Sequence, residues 1–383
     1  MGRVFVLGAG VSKEVCYPLG SELFNELDQF VRGRGRSFDR FDYAEWPKLC
    51  DHLSRTANTL VRSAYQKRQI ELLFTILDLS WLLKSEELYD SYLGLPKATE
   101  AEKSFKRLDL LTRTYLDYRR ILLCALQAYF LHRHEADLAE SDEAQGHNGW
   151  NLLRTFCRKL KSGDVVITFN YDSTIERILL EQRKWSPSTG YGFEIPLMSL
   201  RPHPTRLAPV PSVVIVLHLH GAIGWFQRSA GASSGSAWIP IEKVAAGALT
   251  SEVALDPLIL QGLGMHAVDA ALPTRPPNEA QILLHPSFFK DYELEDEANT
   301  VFIRMWKEAA EMLRSADEVH VIGYSLPKAD SSAMTLLLTN CDPAKVSIVN
   351  RNKVANHRLR QLLSEEKLGP PRCFHEWVME LDS

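Results

Sequence analysis

The chain has 383 residues, 45% of them hydrophobic and 24% charged, enough to bury a sizeable core in two or three structural units. A formal net charge of −4 and a pI near 6.3 leave no global electrostatic reason to expect nucleic-acid or anionic-membrane binding. Six cysteines without a CxxC pair suggest reduced thiols, not a zinc ribbon or a disulfide scaffold.

In chain order, the first element is an apolar run from Val4 to Leu7. The apolar stretch of MGRVFVLGAG is too short for a signal-peptide core, and no later stretch approaches the roughly 20 apolar residues that span a bilayer. The expected location is therefore cytoplasmic. The basic run RGRGR, Arg32 to Arg36, reads as a solvated loop. Segments near 69–84 and 108–132 place Leu, Ile, Phe and Tyr at three- and four-residue spacings, which predicts a helical insertion over residues 31–149. It closes in the polar stretch ADLAESDEAQGHNG. Further apolar runs follow at Val165 to Phe169, Val213 to Leu219, Val319 to Ile322 and Val346 to Val349. Continuous, β-branched runs of this kind fit parallel strands covered by helices on both faces. The predicted fold class is α/β, Rossmann-like and doubly wound with a mainly parallel sheet, assembled from residues 1–30, 150–225 and 281–383. Residues 226–280, rich in small residues, read as a flexible lid or small subdomain, and a helix is predicted over 300–314.

Five strand ends carry chemistry. In VFVLGAGVS the strand runs into Gly8, Ala9 and Gly10, followed by a helix predicted from about Ser12. Glycines there allow a pyrophosphate to approach a helix N-terminus, although a tight turn alone also explains them. VVITFNYDS delivers Asn170 and Asp172 to the carboxyl end of a strand, where open α/β sheets place ligands. Helix capping explains Asp172 but not Asn170. VIVLHLHG puts His218 and His220 on alternate strand positions, hence on one face, and His220 is the better placed to meet a substrate. EVHVIGYSLPKADS ends a strand at Gly323, Tyr324 and Ser325, suited to phosphate or ribose, with Asp330 opening the next helix as a cap. VSIVN puts Asn350 past the last strand, to bond a ribose or close a turn. No metal ligands recur at a recognisable spacing.

Taken in order, these five motifs resemble the sirtuin family, and TFNYD, LHGAIGW and IGYSLPKAD are most similar to the bacterial antiphage-defence sirtuin-like proteins, which are NAD glycohydrolases. The resemblance covers most of the chain outside the insertion and lid. It implies NAD as substrate, with Asn170 orienting the reacting ribose and a water and His220 as the catalytic base. Gly8, Ala9, Gly10 and Ser12 would lie by the pyrophosphate and Asp172 by the nicotinamide carboxamide. Gly323, Ser325 and Asn350 would hold the adenosine half. The four zinc cysteines of protein-deacylating sirtuins are missing, so no zinc is expected, and KEVCYPLGSEL replaces their cofactor loop. The resemblance further implies a gated effector of defence by NAD depletion. Its partners would be NAD, further copies in a homo-oligomer and a defence protein such as a HerA-type translocase ATPase, with no membrane and no sequence-specific nucleic acid. Two alternatives stay open: a non-catalytic NAD- or ADP-ribose-binding assembly module, and an NAD-dependent protein deacylase.

Overall fold

The computed structural model describes residues 2–33, 45–55, 59–75, 148–185, 189–192, 212–228, 238–240, 279–283, 296–327, 330–362 and 372–381, with short helical pieces between 121 and 133. In chain order the elements are β1 (Arg3–Leu7), α1 (Ala9–Ser12), α2 (Gly20–Gly33), α3 (Glu45–Arg55), α4 (Thr59–Gln66), α5 (Asn148–Lys159), β2 (Val165–Thr168) and α6 (Thr174–Glu181). They continue with β3 (Ile215–His218), β4 (Gly221–Arg228), β5 (Trp238–Pro240), β6 (Glu279–Leu283), α7 (Asp296–Ser315), β7 (Glu318–Ile322), α8 (Ser331–Asn340), β8 (Val346–Val349), α9 (Lys353–Leu362) and α10 (Phe374–Glu380).

The main sheet has the order β3-β2-β1-β7-β8, and every pairing in it is parallel. The five predicted strands are these five, with Phe169, Val213, Val214 and Leu219 falling just outside the paired register. Successive strand residues face opposite sides of a sheet, and Phe5, Val6 and Leu7 are all fully buried. Both faces are therefore covered, which is why the runs are apolar without alternation. On one face the Phe5 ring meets Phe156 of α5 and Trp377 of α10. Burial of each such side chain contributes about 1.5–3 kcal/mol.

This is a Rossmann-like α/β fold. The chain runs outward from β1 through β2 to β3, then returns to the other side of β1 for β7 and β8. Strand order thus reverses between β1 and β7, and the crevice at their carboxyl ends is where such sheets bind ligands.

A second, antiparallel sheet of order β5-β4-β6 grows directly out of the main one, because β4 begins three residues after β3 ends. It includes the described ends of the segment read as a lid; residues 229–237 and 241–278 lie outside the described residues. Within 31–149 the described residues are mostly helical, in α3, α4, residues 70–75 and pieces of 121–133, while RGRGR from Arg34 onward and the polar stretch up to His147 fall outside. Among the described residues, no helix is long and apolar enough to cross a membrane.

Candidate active site

The carboxyl end of β1 is locked to that of β7. Gly8 N donates to Ile322 O at 3.0 Å and Gly10 N donates to Gly323 O at 2.9 Å. A Cβ at Gly8 would fall 2.5 Å from the Tyr324 Cα, and one at Gly10 would fall 2.8 Å from the Gly323 Cα. Gly323 itself has φ +60°, in the region that favours glycine. The glycines of GAG are thus required by the crossing of two turns, and the N–H groups of Gly8 and Gly10 are spent in it. The helix after them starts at Ala9, not near Ser12, because Gly8 already holds the extended conformation of an N-cap. It is one turn long, and a 3-10 turn (Lys13–Val15) ends at Cys16, whose φ is 67°.

Ser12 and the end of β2 form a hydrogen-bonded chain. Asn170 Nδ2 donates to Gly8 O at 3.1 Å and to Ser12 Oγ at 2.8 Å, and Ser12 Oγ donates to Asp172 Oδ2 at 2.6 Å. Asp172 Oδ1 accepts from Thr174 N at 3.2 Å, at the start of α6. Both amide hydrogens of Asn170 are therefore committed, and its Oδ1 is the atom left to accept a hydrogen bond from a ligand hydroxyl or a water.

The two histidines part company. The alternation that would put them on one face holds only along an extended strand; β3 ends at His218, and His220 sits in a turn before β4. That turn is pinned: Leu219 N donates to Thr168 O at 3.0 Å and Leu219 O accepts from Trp306 Nε1 at 3.2 Å. Gly221 follows at φ 76°, so a glycine after His220 suits the backbone. His218 is fully buried against Glu176 of α6, and its Nδ1 lies 3.2 Å from Asn170 O. Burial alone would lower the His218 pKa; the Glu176 carboxylate overrides it and the net displacement is upward. His218 thus supports the backbone of Asn170 from below. His220 instead lies 3.2 Å from Asp330 Oδ2 through Nε2.

A cleft of about 930 Å³ opens above these strand ends, lined among others by Ser12, Asn170, His220, Gly323 and Asp330. That volume is within the range of small-molecule sites. Of the residues singled out from sequence, Ala9, Gly10, Ser12, Asn170, Asp172, His220, Gly323, Ser325 and Asn350 line it; Gly8 lies beneath, in the turn. Asn350 closes a turn as well: its Nδ2 donates to Tyr324 O at 3.1 Å and its Oδ1 accepts from Asn352 N at 2.9 Å.

No protein-family model matches the chain, and no curated protein does. The chemistry of the cleft rests on its own residues.

Several of those residues were not legible beforehand. One wall comes from the insertion, where Lys67, Arg68 and Glu71 line the cleft together with Phe130. Rings run along it from Tyr17, stacked on Phe130 at 5.9 Å, to Tyr171, 5.7 Å from Phe130 and 6.2 Å from His220. Burial, and next the Asp330 carboxylate, push the Tyr171 phenol well above its usual pKa. Among the described residues, no group of three or more His, Cys, Asp or Glu is arranged to hold a metal ion.

Proposed function

We propose that the chain hydrolyses NAD at the nicotinamide–ribose bond, giving nicotinamide and ADP-ribose. The observation that carries the reading is that Asn170 and His220, brought from different strand ends, line one cleft at the point where the sheet reverses its strand order. An amide acceptor and a base on one wall suit the reaction. Asn170 Oδ1 holds a ribose hydroxyl or the attacking water. His220 takes the proton that water loses, and such help is typically worth about 100- to 10,000-fold in rate. Imidazole is the side chain whose unperturbed pKa, about 6.5, lies nearest neutral pH, which suits the residue type to this proton transfer.

In this reading Asp172 acts through Ser12 on Asn170, and Asn350 shapes the turn under the adenosine half, both as organisers of the wall. Ala9, Ser325 and Lys67 are the groups offered to the pyrophosphate. The gated role in antiphage defence, the homo-oligomer and a HerA-type partner rest on the sirtuin-like motifs alone, with the helical insertion as the assembly surface. So does the absence of zinc.

The test is to incubate the purified protein with NAD and no peptide, beside Asn170→Ala, and to follow nicotinamide and ADP-ribose by chromatography. Release that falls about 100-fold or more in the variant supports the hydrolase. Release only on addition of acylated peptide would replace it by the deacylase, and binding of ADP-ribose without turnover by the assembly module.

A further inference from the structure

The histidine of the proposed reaction has a partner that the fourth motif offered only as a helix cap. His220 Nε2 faces Asp330 Oδ2 at 3.2 Å. The same oxygen accepts a hydrogen bond from the Tyr324 hydroxyl at 2.5 Å, and Asp330 Oδ1 accepts from Ala333 N at 3.3 Å in the first turn of α8. Both carboxylate oxygens are therefore held before a substrate arrives, and the side chain is buried. The imidazole is also held by packing. Phe169 meets it edge-on at 5.0 Å, and Phe169 stacks flat on the Tyr324 ring at 4.6 Å and 10°. Burial, and next the Asp330 carboxylate, raise the Tyr324 pKa well above the usual phenol value, which keeps its hydroxyl a donor.

We propose that Asp330 is the positioning residue of His220: it accepts the Nε2–H, selects one imidazole tautomer, and leaves Nδ1 to take the proton. This rests on the hydrolase reading of the cleft. In the reaction the oxygen of water bonds to ribose C1′ as the C1′–N bond breaks. The electron pair of that bond leaves with nicotinamide, which departs neutral, and the water proton passes to Nδ1. The imidazolium so formed is held by a carboxylate already in place, inside a site where charge–charge attraction exceeds its value in water. Asp330 also caps α8, and one residue thereby ties the helix start to the orientation of the base.

The test uses Asp330→Asn, because asparagine caps a helix about as well as aspartate but carries no charge for the imidazolium. Protein labelled with 15N in its histidine rings gives the first readout, with the His220 signal identified by its loss in His220→Ala. The neutral ring should carry its proton on Nε2 in the wild type and lose that preference in Asp330→Asn. On NAD, kcat should fall on the order of 100- to 10,000-fold with KM little changed, and the pH profile should move. In a His220→Ala background the same substitution should add no further loss, because residues acting as a unit are not additive. Tyr324→Phe should show a smaller loss of the same kind. An unchanged tautomer in Asp330→Asn, or a loss that adds in full to that of His220→Ala, overturns the proposal. If the wild type releases no nicotinamide the hydrolase reading falls, while the ring spectrum still decides the Asp330–His220 pair.

Discussion

One residue of chain separates His218 from His220, yet they serve different neighbours. His218 is sealed between Glu176 and the Asn170 carbonyl, both of which accept hydrogen bonds. Its pKa is raised above 6.5 in the folded chain, with burial opposing and Glu176 prevailing. Such a group gives its full stabilisation below the unfolded pKa and loses it as pH rises through the folded value. His218→Gln, which strands the buried Glu176 carboxylate, should therefore cost about 3–5 kcal/mol in urea unfolding at mildly acidic pH. The difference from wild type should shrink as pH climbs above 6.5. A penalty that grows with pH would refute the charged pair. Comparison with the variant is needed because burial lowers the pKa of His320, so its contribution runs the other way, present above the unfolded pKa and lost on acidification. None of this was readable from LHLHG itself, since the partners Glu176 and Asp330 lie on α6 and at the start of α8. What the local sequence did carry was the H-G pair and the choice of His220 over His218 as the one that faces the cleft, not the carboxylate behind it; Asp330 reads locally as nothing more than a cap.

Among the elements, the crossing of the β1 and β7 turns is the most exacting. Gly10→Ala would set its Cβ 2.8 Å from both the Cα and the carbonyl oxygen of Gly323, backbone atoms with no flexible end to give way. The expected penalty is about 1–3 kcal/mol, read as a lower urea midpoint at constant m. An unshifted midpoint would mean that the two turns are not packed as described. The same element shows where sequence reading succeeds and where it stops. Buried parallel strands advertise themselves by continuous apolar runs, and all five were legible to within a residue or two at each end. The purpose of the glycines was not, because GAG reads identically whether the space is kept for a phosphate or for another stretch of backbone. The wall supplied by Lys67 to Leu72 and Phe130 was equally silent, since nothing in a helical periodicity says which turn reaches a strand end more than 90 residues away, as Phe169 is from residue 72.

At the scale of the whole molecule, the cleft draws together residues from Ala9 to Phe374, so occupancy should be felt by the entire fold. ADP-ribose at 100 times its Kd should add about 2.7 kcal/mol to the unfolding free energy and raise the thermal midpoint by several degrees. An unmoved midpoint at millimolar ADP-ribose would count against this cleft as the nucleotide site. The two turns beneath it bear on how a ligand gets in. Bound to one another through backbone and packed without room for a single methyl group, they form the keel of the cleft. Any widening of the cleft should therefore come from its other side, lined by Tyr17 to Ser21 and residues 67–72, and the reach of the site is set by the segment that departs furthest from the parallel sheet.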